Sequence, residues 1–271
     1  MKSSVCIEMI FKDLPFLERI WKAAEAGYDA VEFWNWGDKK LPEIARTAEK
    51  AGITILTFQS NRGGSLIDPG QRDSFVLGIK ESLAKANELG VKNLFLLTDE
   101  LGLDRSVVNR VPELSEGAKY QSVLDGLKIL AGLAEDAHVV LNLEPLNTKV
   151  DHPGYWLNHV EVGFDLIREV NSPNLRLLFD CYHVQIMDGN LIPTLQENVD
   201  LIGHIHVADT PGRNEPGTGE LNYANIFKAL WAIGYDGHVG MEFKPIGGAA
   251  DAAIEALDLL KRANVEMRSA I

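Results

Sequence analysis

Three acids and a histidine close four successive apolar runs in the C-terminal half of the chain. VVLNLEPLN carries Glu144, LRLLFDCYH carries Asp180, LIGHIHVADT carries His206 and GHVGMEFKP carries Glu242. Taken singly, each has an ordinary explanation. A carboxylate at the end of a strand can cap a helix or pair with a base, and a lone histidine is more often a satisfied core residue than a ligand. The joint pattern is harder to explain that way. If the four runs are neighbouring strands of a parallel barrel, their C-terminal ends open on one face, where the chemistry of such barrels sits. Three carboxylates and an imidazole converging there suit a divalent cation that prefers oxygen, Mn²⁺ or Mg²⁺ first, with Co²⁺ also compatible.

Other polar residues are spaced to surround that point. His183 follows Asp180 by three residues, on the first turn after its strand. There it could hydrogen-bond a substrate hydroxyl, or serve as a cap or a surface group. Arg213 lies in the Gly/Pro-rich stretch TPGRNEPGTGE. Its planar fork could bind a substrate oxygen or orient a carboxylate; an exposed loop arginine is the plain alternative. The stretch is no P-loop, because the Lys-Ser/Thr ending is missing. Trp34 ends the second run and Trp36 follows it, and Gln59 and Asn61 follow the third; Trp34 and Gln59 are the substrate-contact candidates among them. Aromatics at a barrel mouth exclude water from a pocket, although packing against helices explains each tryptophan as well. Glu32 precedes Trp34 by two residues and shares its face, as His204 does with His206. Glu32 therefore reads as a polar support inside the barrel. Cys181 has no base beside it and reads as packing. Lys244 could tune Glu242 or be solvated.

The elements that must position these residues alternate in type along the whole chain. Apolar runs at 4–9, 29–34, 53–58, 91–97, 138–144, 174–180, 201–209 and 237–243 read as strands. Between them lie stretches with helical spacing, such as FLERIWKAAEAG, LPEIARTAEKAG and FVLGIKESLAKANELG, and the one after the sixth strand is broken around Pro193. Helix after helix stops on a glycine just before the next apolar run: EAGYDAVEF, KAGITILTF, ELGVKNLFL, AIGYDGHVG. Glycine fits the left-handed residue past a helix end without a Cβ clash. Eight such units predict a single (β/α)₈ TIM barrel, read as one domain over 1–271. A doubly wound open sheet would need about two fewer strands and normally a G-x-G-x-x-G loop after the first, which is absent.

Composition narrows the partners. The chain has 271 residues, close to the typical barrel, and 46% hydrophobic residues, enough for a sizeable core. A formal charge of -13 argues against broad contact with nucleic acid or anionic lipid. No run approaches the ~20 apolar residues of a membrane span. The N-terminal MKSSVCIEMIFKD lacks a signal-peptide pattern, and two cysteines make no disulfide framework, so a reduced, cytoplasmic setting is expected. The expected partner is a small-molecule substrate.

The motifs LEPLN with HPGYWL, FDCYH, GHIHVADTPGRNEPGTGELNY and MEFKP together make the chain resemble the xylose-isomerase-like TIM-barrel superfamily of sugar isomerases and epimerases. Within it, the resemblance is greatest to hydroxypyruvate isomerases and covers nearly the whole chain. It implies that Glu144, Asp180, His206 and Glu242 bind one divalent metal, that Glu144 and Glu242 are the acid/base pair, and that His183 and Arg213 contact substrate. Relatives often form dimers or tetramers, so a homo-oligomer is compatible with it. Two positions depart from that pattern. Bacterial hydroxypyruvate isomerases can carry Gln at the His206 position, where His is the habit of ketose 3-epimerases. The Glu that many such epimerases carry six residues after the first catalytic Glu is Val150 here.

The expected reaction is a metal-dependent isomerisation of a small hydroxy-carbonyl compound through an enediolate, with two glutamates moving the proton. A ketose 3-epimerase, or a dehydratase or decarboxylase acting on a keto sugar or keto acid at the same centre, is the alternative. A nuclease of the endonuclease IV type would need a larger His-rich cluster and a basic face. A non-catalytic sugar-binding protein would have no need of four ligands.

Overall fold

Val, Ile, Leu and Phe concentrate in the short runs because both faces of a central parallel sheet are covered, one by helices and one by the barrel interior. The computed structural model describes residues 1–269; the last two positions of the expected domain lie outside them. The elements run β1 (Lys2–Cys6), α1 (Phe16–Ala26), β2 (Ala30–Phe33), α2 (Leu41–Ala51), β3 (Thr54–Phe58), α3 (Arg72–Leu89), β4 (Asn93–Leu96), α4 (Glu116–Ala137) and β5 (Val140–Leu143). They continue with α5 (Val160–Val170), β6 (Leu175–Asp180), α6 (Cys181–Met187), α7 (Leu191–Asn198), β7 (Ile202–Val207), α8 (Tyr223–Ala232), β8 (His238–Met241) and α9 (Ala249–Arg268).

All strand pairs are parallel, in the spatial order β3-β2-β1-β8-β7-β6-β5-β4. The two ends of that order meet through a parallel bridge between Gln59 and Phe95, and the Ser60 N–H donates to the Phe95 carbonyl at 2.9 Å. Asn61 stitches the same seam, taking the Leu97 N–H and donating to the Leu97 carbonyl, each at 2.8 Å. The result is the expected (β/α)₈ TIM barrel. Helices turn their apolar stripes inward. In α1, Ile20 and Ala23 are buried one turn apart, and the rings of Phe33 and Phe58 stack at 5.4 Å on adjacent strands.

Two local details differ from the sequence reading, and a third adds to it. The first strand spans Lys2–Cys6 rather than 4–9, because Met9 and Ile10 already turn back onto the Cys6 carbonyl. The helical break after β6 falls at Asp188–Asn190, where Gly189 and Asn190 take positive φ. Pro193 is not the cause: it sits in the first turn of α7, where no N–H is needed. Gly27 and Gly52 close α1 and α2 at φ 89° and 69° as expected, but α4 and α5 use His138 and Asn171 for the same left-handed residue. His and Asn tolerate that region better than most side chains, so no glycine marks those ends.

Candidate active site

The strand period decides what reaches the barrel mouth. Register pairs Asp180 with His206 and His206 with Gly240, so side chains two residues apart on β6, β7 and β8 share the interior face. Asp180 is the last residue of β6, whereas Glu144 and Glu242 lie one residue beyond β5 and β8. One ligand-type atom from each of Glu144, Asp180, His206 and Glu242 lies within 4.8 Å of the other three. All four are buried, with Glu144 4% and Asp180 1% exposed. His206 Nδ1 stands 3.5 Å from Glu242 Oε2 and 3.9 Å from Glu144 Oε1. It has no hydrogen-bond partner.

A buried nitrogen without a partner is uncommon. Here it faces three carboxylates, the donor set expected around an oxygen-preferring divalent cation. The charge balance agrees. The three carboxylates are answered by one guanidinium, Arg213, whose Nη2 lies 2.5 Å from Glu242 Oε2 and 3.4 Å from Asp180 Oδ2. With a neutral imidazole, two negative charges remain, the amount a divalent ion cancels. Without such an ion the groups adjust their protonation. Burial, then the charge of Glu242, pushes Glu144 well above the usual carboxylate range. Burial raises Asp180 too, against the pull of Arg213. Burial also opposes ionisation of Glu242, but His206 and Arg213 outweigh it and hold its pKa at about 2. Burial would lower the pKa of His206, yet Glu242 and Glu32 raise it well above the ordinary value.

The residues around the cluster fall where the chain forces them. Asp180 caps α6 through Oδ1, which accepts the Tyr182 N–H at 2.8 Å, so capping and the Oδ2 contact to Arg213 coexist on one carboxylate. His183, in the first turn of α6, is 1% exposed. Its Nδ1 accepts the Asn147 backbone N–H at 3.1 Å and lies 2.7 Å from Asn147 Nδ2. The proton of the neutral ring is therefore on Nε2, which has no hydrogen-bond partner and lies 3.6 Å from Asp180 Oδ2. Burial, reinforced by Arg213, holds the pKa of His183 well below the ordinary histidine value, so it stays a neutral donor.

Arg213 is a buried residue at φ 57°, 5% exposed, with its guanidinium over the Tyr182 ring at 5.1 Å. Trp34 donates its indole N–H to Glu242 Oε1 at 2.8 Å, so it positions a carboxylate as well as walling the mouth. Trp36 packs outward, with its N–H on Ser82 Oγ of α3 at 2.9 Å and Arg62 over its ring. Gln59 belongs to the barrel seam. Its N–H donates to the Trp34 carbonyl at 3.1 Å, and its side chain makes no hydrogen bond among the described residues. The Lys244 N–H donates to the Arg213 carbonyl at 2.7 Å, tying the two mouth loops together. Val150 is 65% exposed.

Three residues escaped the sequence reading. Tyr155, 2% exposed, accepts the Thr98 N–H and donates to the Glu144 carbonyl, both at 2.9 Å, and so fixes where the chain leaves β5. Asn147 orients His183, and Asp151 joins it to Tyr182 through contacts of 3.0 and 2.7 Å. Their only signal was proximity to Glu144, in LEPLN and DHPGYW.

Comparison with known proteins gives a consistent picture. A family model described as xylose isomerase-like TIM barrel matches residues 20–263. Hydroxypyruvate isomerase of Escherichia coli is 32% identical over 90% of this chain and 94% of its own length. The 2-oxo-tetronate isomerase of Cupriavidus necator is likewise 32% identical, over 90% and 93%. Among solved structures, one from Brucella melitensis named as an AP endonuclease of family 2 superposes with a TM-score of 0.83 at 30% identity, covering 93% of this chain and 96% of that one.

Proposed function

The chain belongs to the xylose isomerase-like TIM-barrel family, and from that premise we propose that it is a divalent-metal-dependent isomerase of a small 2-hydroxy-carbonyl acid of the hydroxypyruvate type. The observation that carries this reading is the buried meeting of Glu144, Asp180, Glu242 and the unpartnered Nδ1 of His206 within 4.8 Å. These four would hold the ion, with Mn²⁺ or Mg²⁺ favoured by the oxygen-rich donor set. When bound, such an ion supplies Lewis-acid polarisation of the substrate carbonyl.

The remaining chemistry belongs to the side chains. One glutamate of the Glu144/Glu242 pair takes the proton from the hydroxyl-bearing carbon, giving an enediol form of the substrate. The proton is then returned to the neighbouring carbon, while a second proton passes between the two oxygens. Positioned acid/base groups contribute about 10²–10⁴-fold each. His183 offers its Nε2–H to a substrate oxygen, and Arg213 and Trp34 hold the Glu242 carboxylate in place. The buried walls keep water from competing for the reactive intermediate.

Isomerisation is favoured over 3-epimerisation because the position where many ketose 3-epimerases place a further glutamate is the exposed Val150. An endonuclease reading gains no support from a chain of charge -13. No helix among the described residues is long and apolar enough to cross a membrane. The test uses Glu144→Gln and Glu242→Gln with Mn²⁺ and hydroxypyruvate in heavy water, followed by proton NMR. The unmodified protein should exchange deuterium into the isomerised product without loss of CO₂ or water, and both variants should be inactive yet folded. Near-normal turnover in either variant overturns the acid/base assignment.

A further inference from the structure

The interior of a (β/α)₈ barrel is normally filled by branched apolar side chains. Here three polar residues take that space beneath the acid cluster. Glu32 of β2 is 1% exposed, and both its oxygens are engaged by β7: His204 Nε2 at 3.0 Å from Oε1, and His206 Nε2 at 2.8 Å from Oε2. The two imidazoles meet edge to face at 4.8 Å between centroids. β8 leaves room for them with Gly240. A Cβ there would come within 2.6 Å of Glu32 Oε1, 2.8 Å of His206 Cδ2 and 3.0 Å of His204 Nε2. Gly240 carries no positive φ, so the absence of a side chain serves space rather than backbone conformation. Three strands therefore cooperate to keep one buried carboxylate against two histidines.

An ionised carboxylate can only accept hydrogen bonds. Both contacts to Glu32 therefore require protons on the two Nε2 atoms, and the neutral His206 ring must carry its lone pair on Nδ1. That atom is the one without a partner, 3.5 Å from Glu242 and 3.9 Å from Glu144. We infer that Glu32 is a positioning residue: it fixes the tautomer and ring orientation of His206, with His204 anchoring its second oxygen, so that Nδ1 is presented as the cation ligand. This rests on the metal-centre reading above. A carboxylate behind a ligand histidine sets ring orientation and raises ligand basicity. A glutamine at position 32 offers one acceptor and one donor group, so it cannot take both Nε2–H groups, and one ring must surrender its proton position or its contact.

Metal-free preparations of the unmodified protein, Glu32→Gln and Gly240→Ala are titrated with Mn²⁺ by calorimetry and EPR. Glu32→Gln should bind about 10–100-fold more weakly, and Gly240→Ala, which crowds Glu32, His204 and the ring of His206 together, should weaken binding in the same direction. Long-range ¹⁵N–¹H correlation spectra of the unmodified, Mg²⁺-loaded protein should show His206 protonated at Nε2 and not at Nδ1. The His206 Nε2–H resonance, moved downfield by a carboxylate acceptor, reports the Glu32 contact even if a variant fails to fold, and an ordinary shift overturns it. Mn²⁺ affinity of Glu32→Gln within about twofold of the unmodified protein overturns the inference about Glu32 alone, whereas a proton on Nδ1 of the Mg²⁺-loaded protein removes His206 from the ligand set and overturns the metal-centre reading as well. Failure of the unmodified protein to bind any Mn²⁺ overturns the metal-centre reading, and this inference with it.

Discussion

Replacing Arg213 with methionine removes the only guanidinium among the described residues that touches the acid cluster, while keeping much of its volume. Its Nη2 lies 2.5 Å from Glu242 and 3.4 Å from Asp180. At the effective dielectric typical of proteins, each contact is worth about 5–7 kcal/mol of raw attraction. Most of this offsets the cost of burying the three charges, and removing one partner of a buried pair typically costs about 3–5 kcal/mol net. In EDTA, urea unfolding of Arg213→Met should show a loss of that size. With Mn²⁺ the effect should shrink, because the variant cluster carries one more unit of negative charge and attracts a divalent ion more strongly. A tenfold tighter Kd corresponds to about 1.4 kcal/mol, so the gain in stability on adding Mn²⁺ should exceed that of the unmodified protein by at least about this amount. Activity should still fall, since Glu242 loses its orienting partner. A metal-free variant as stable as the parent, or one that Mn²⁺ stabilises less than the parent, would refute the charge balance argued here.

The metal-free protein should lose stability as pH rises. Glu144 and His206 both have folded pKa values above their ordinary values of 4.5 and 6.5, so the folded chain holds protons that the unfolded chain releases. Stability is then fully present below those values and declines above them, by about 1.4 kcal/mol per pH unit for each such proton. Glu242, held at about 2, acts oppositely and costs stability only as pH falls below 4.5. Urea unfolding across pH 7–9 in EDTA, above the range where unfolding protonates the depressed His183 and His152 and the slope is opposed, checks the slope, about flat or rising being the refuting result, and saturating Mn²⁺ should flatten it. Trp34→Phe keeps the ring but deletes the 2.8 Å bond to Glu242; steady-state kinetics should show kcat/KM reduced by about 10–100-fold, in line with a hydrogen bond to a charged group. Tyr155→Phe leaves the buried Thr98 N–H and Glu144 carbonyl without the hydroxyl that bridges them, and thermal or urea denaturation should report a loss of about 1–3 kcal/mol.

What could be read along the chain was whatever depends on period and neighbours. Apolar runs ending in Glu144, Asp180, His206 and Glu242, separated by helical spacing and glycine stops, were enough to specify a parallel barrel and to aim four ligand-type atoms at one mouth. Strand alternation alone put Glu32 inside and set His204 beside His206. What the chain order could not contain are contacts between residues far apart in sequence. Whether Arg213 stands in solvent or is buried against Glu242 depends on how the loop after β7 folds back over β8. That Trp34 serves Glu242 while Trp36 serves Ser82 of α3 turns on which way each ring leaves the strand end. Glu32 meets His206 across 174 positions, and Gly240 clears the space between them from a third strand. Local sequence determines which face of an element a side chain occupies. Only closure of the barrel brings opposing faces together, and it is at those cross-barrel distances that charge, proton position and ligand geometry are decided.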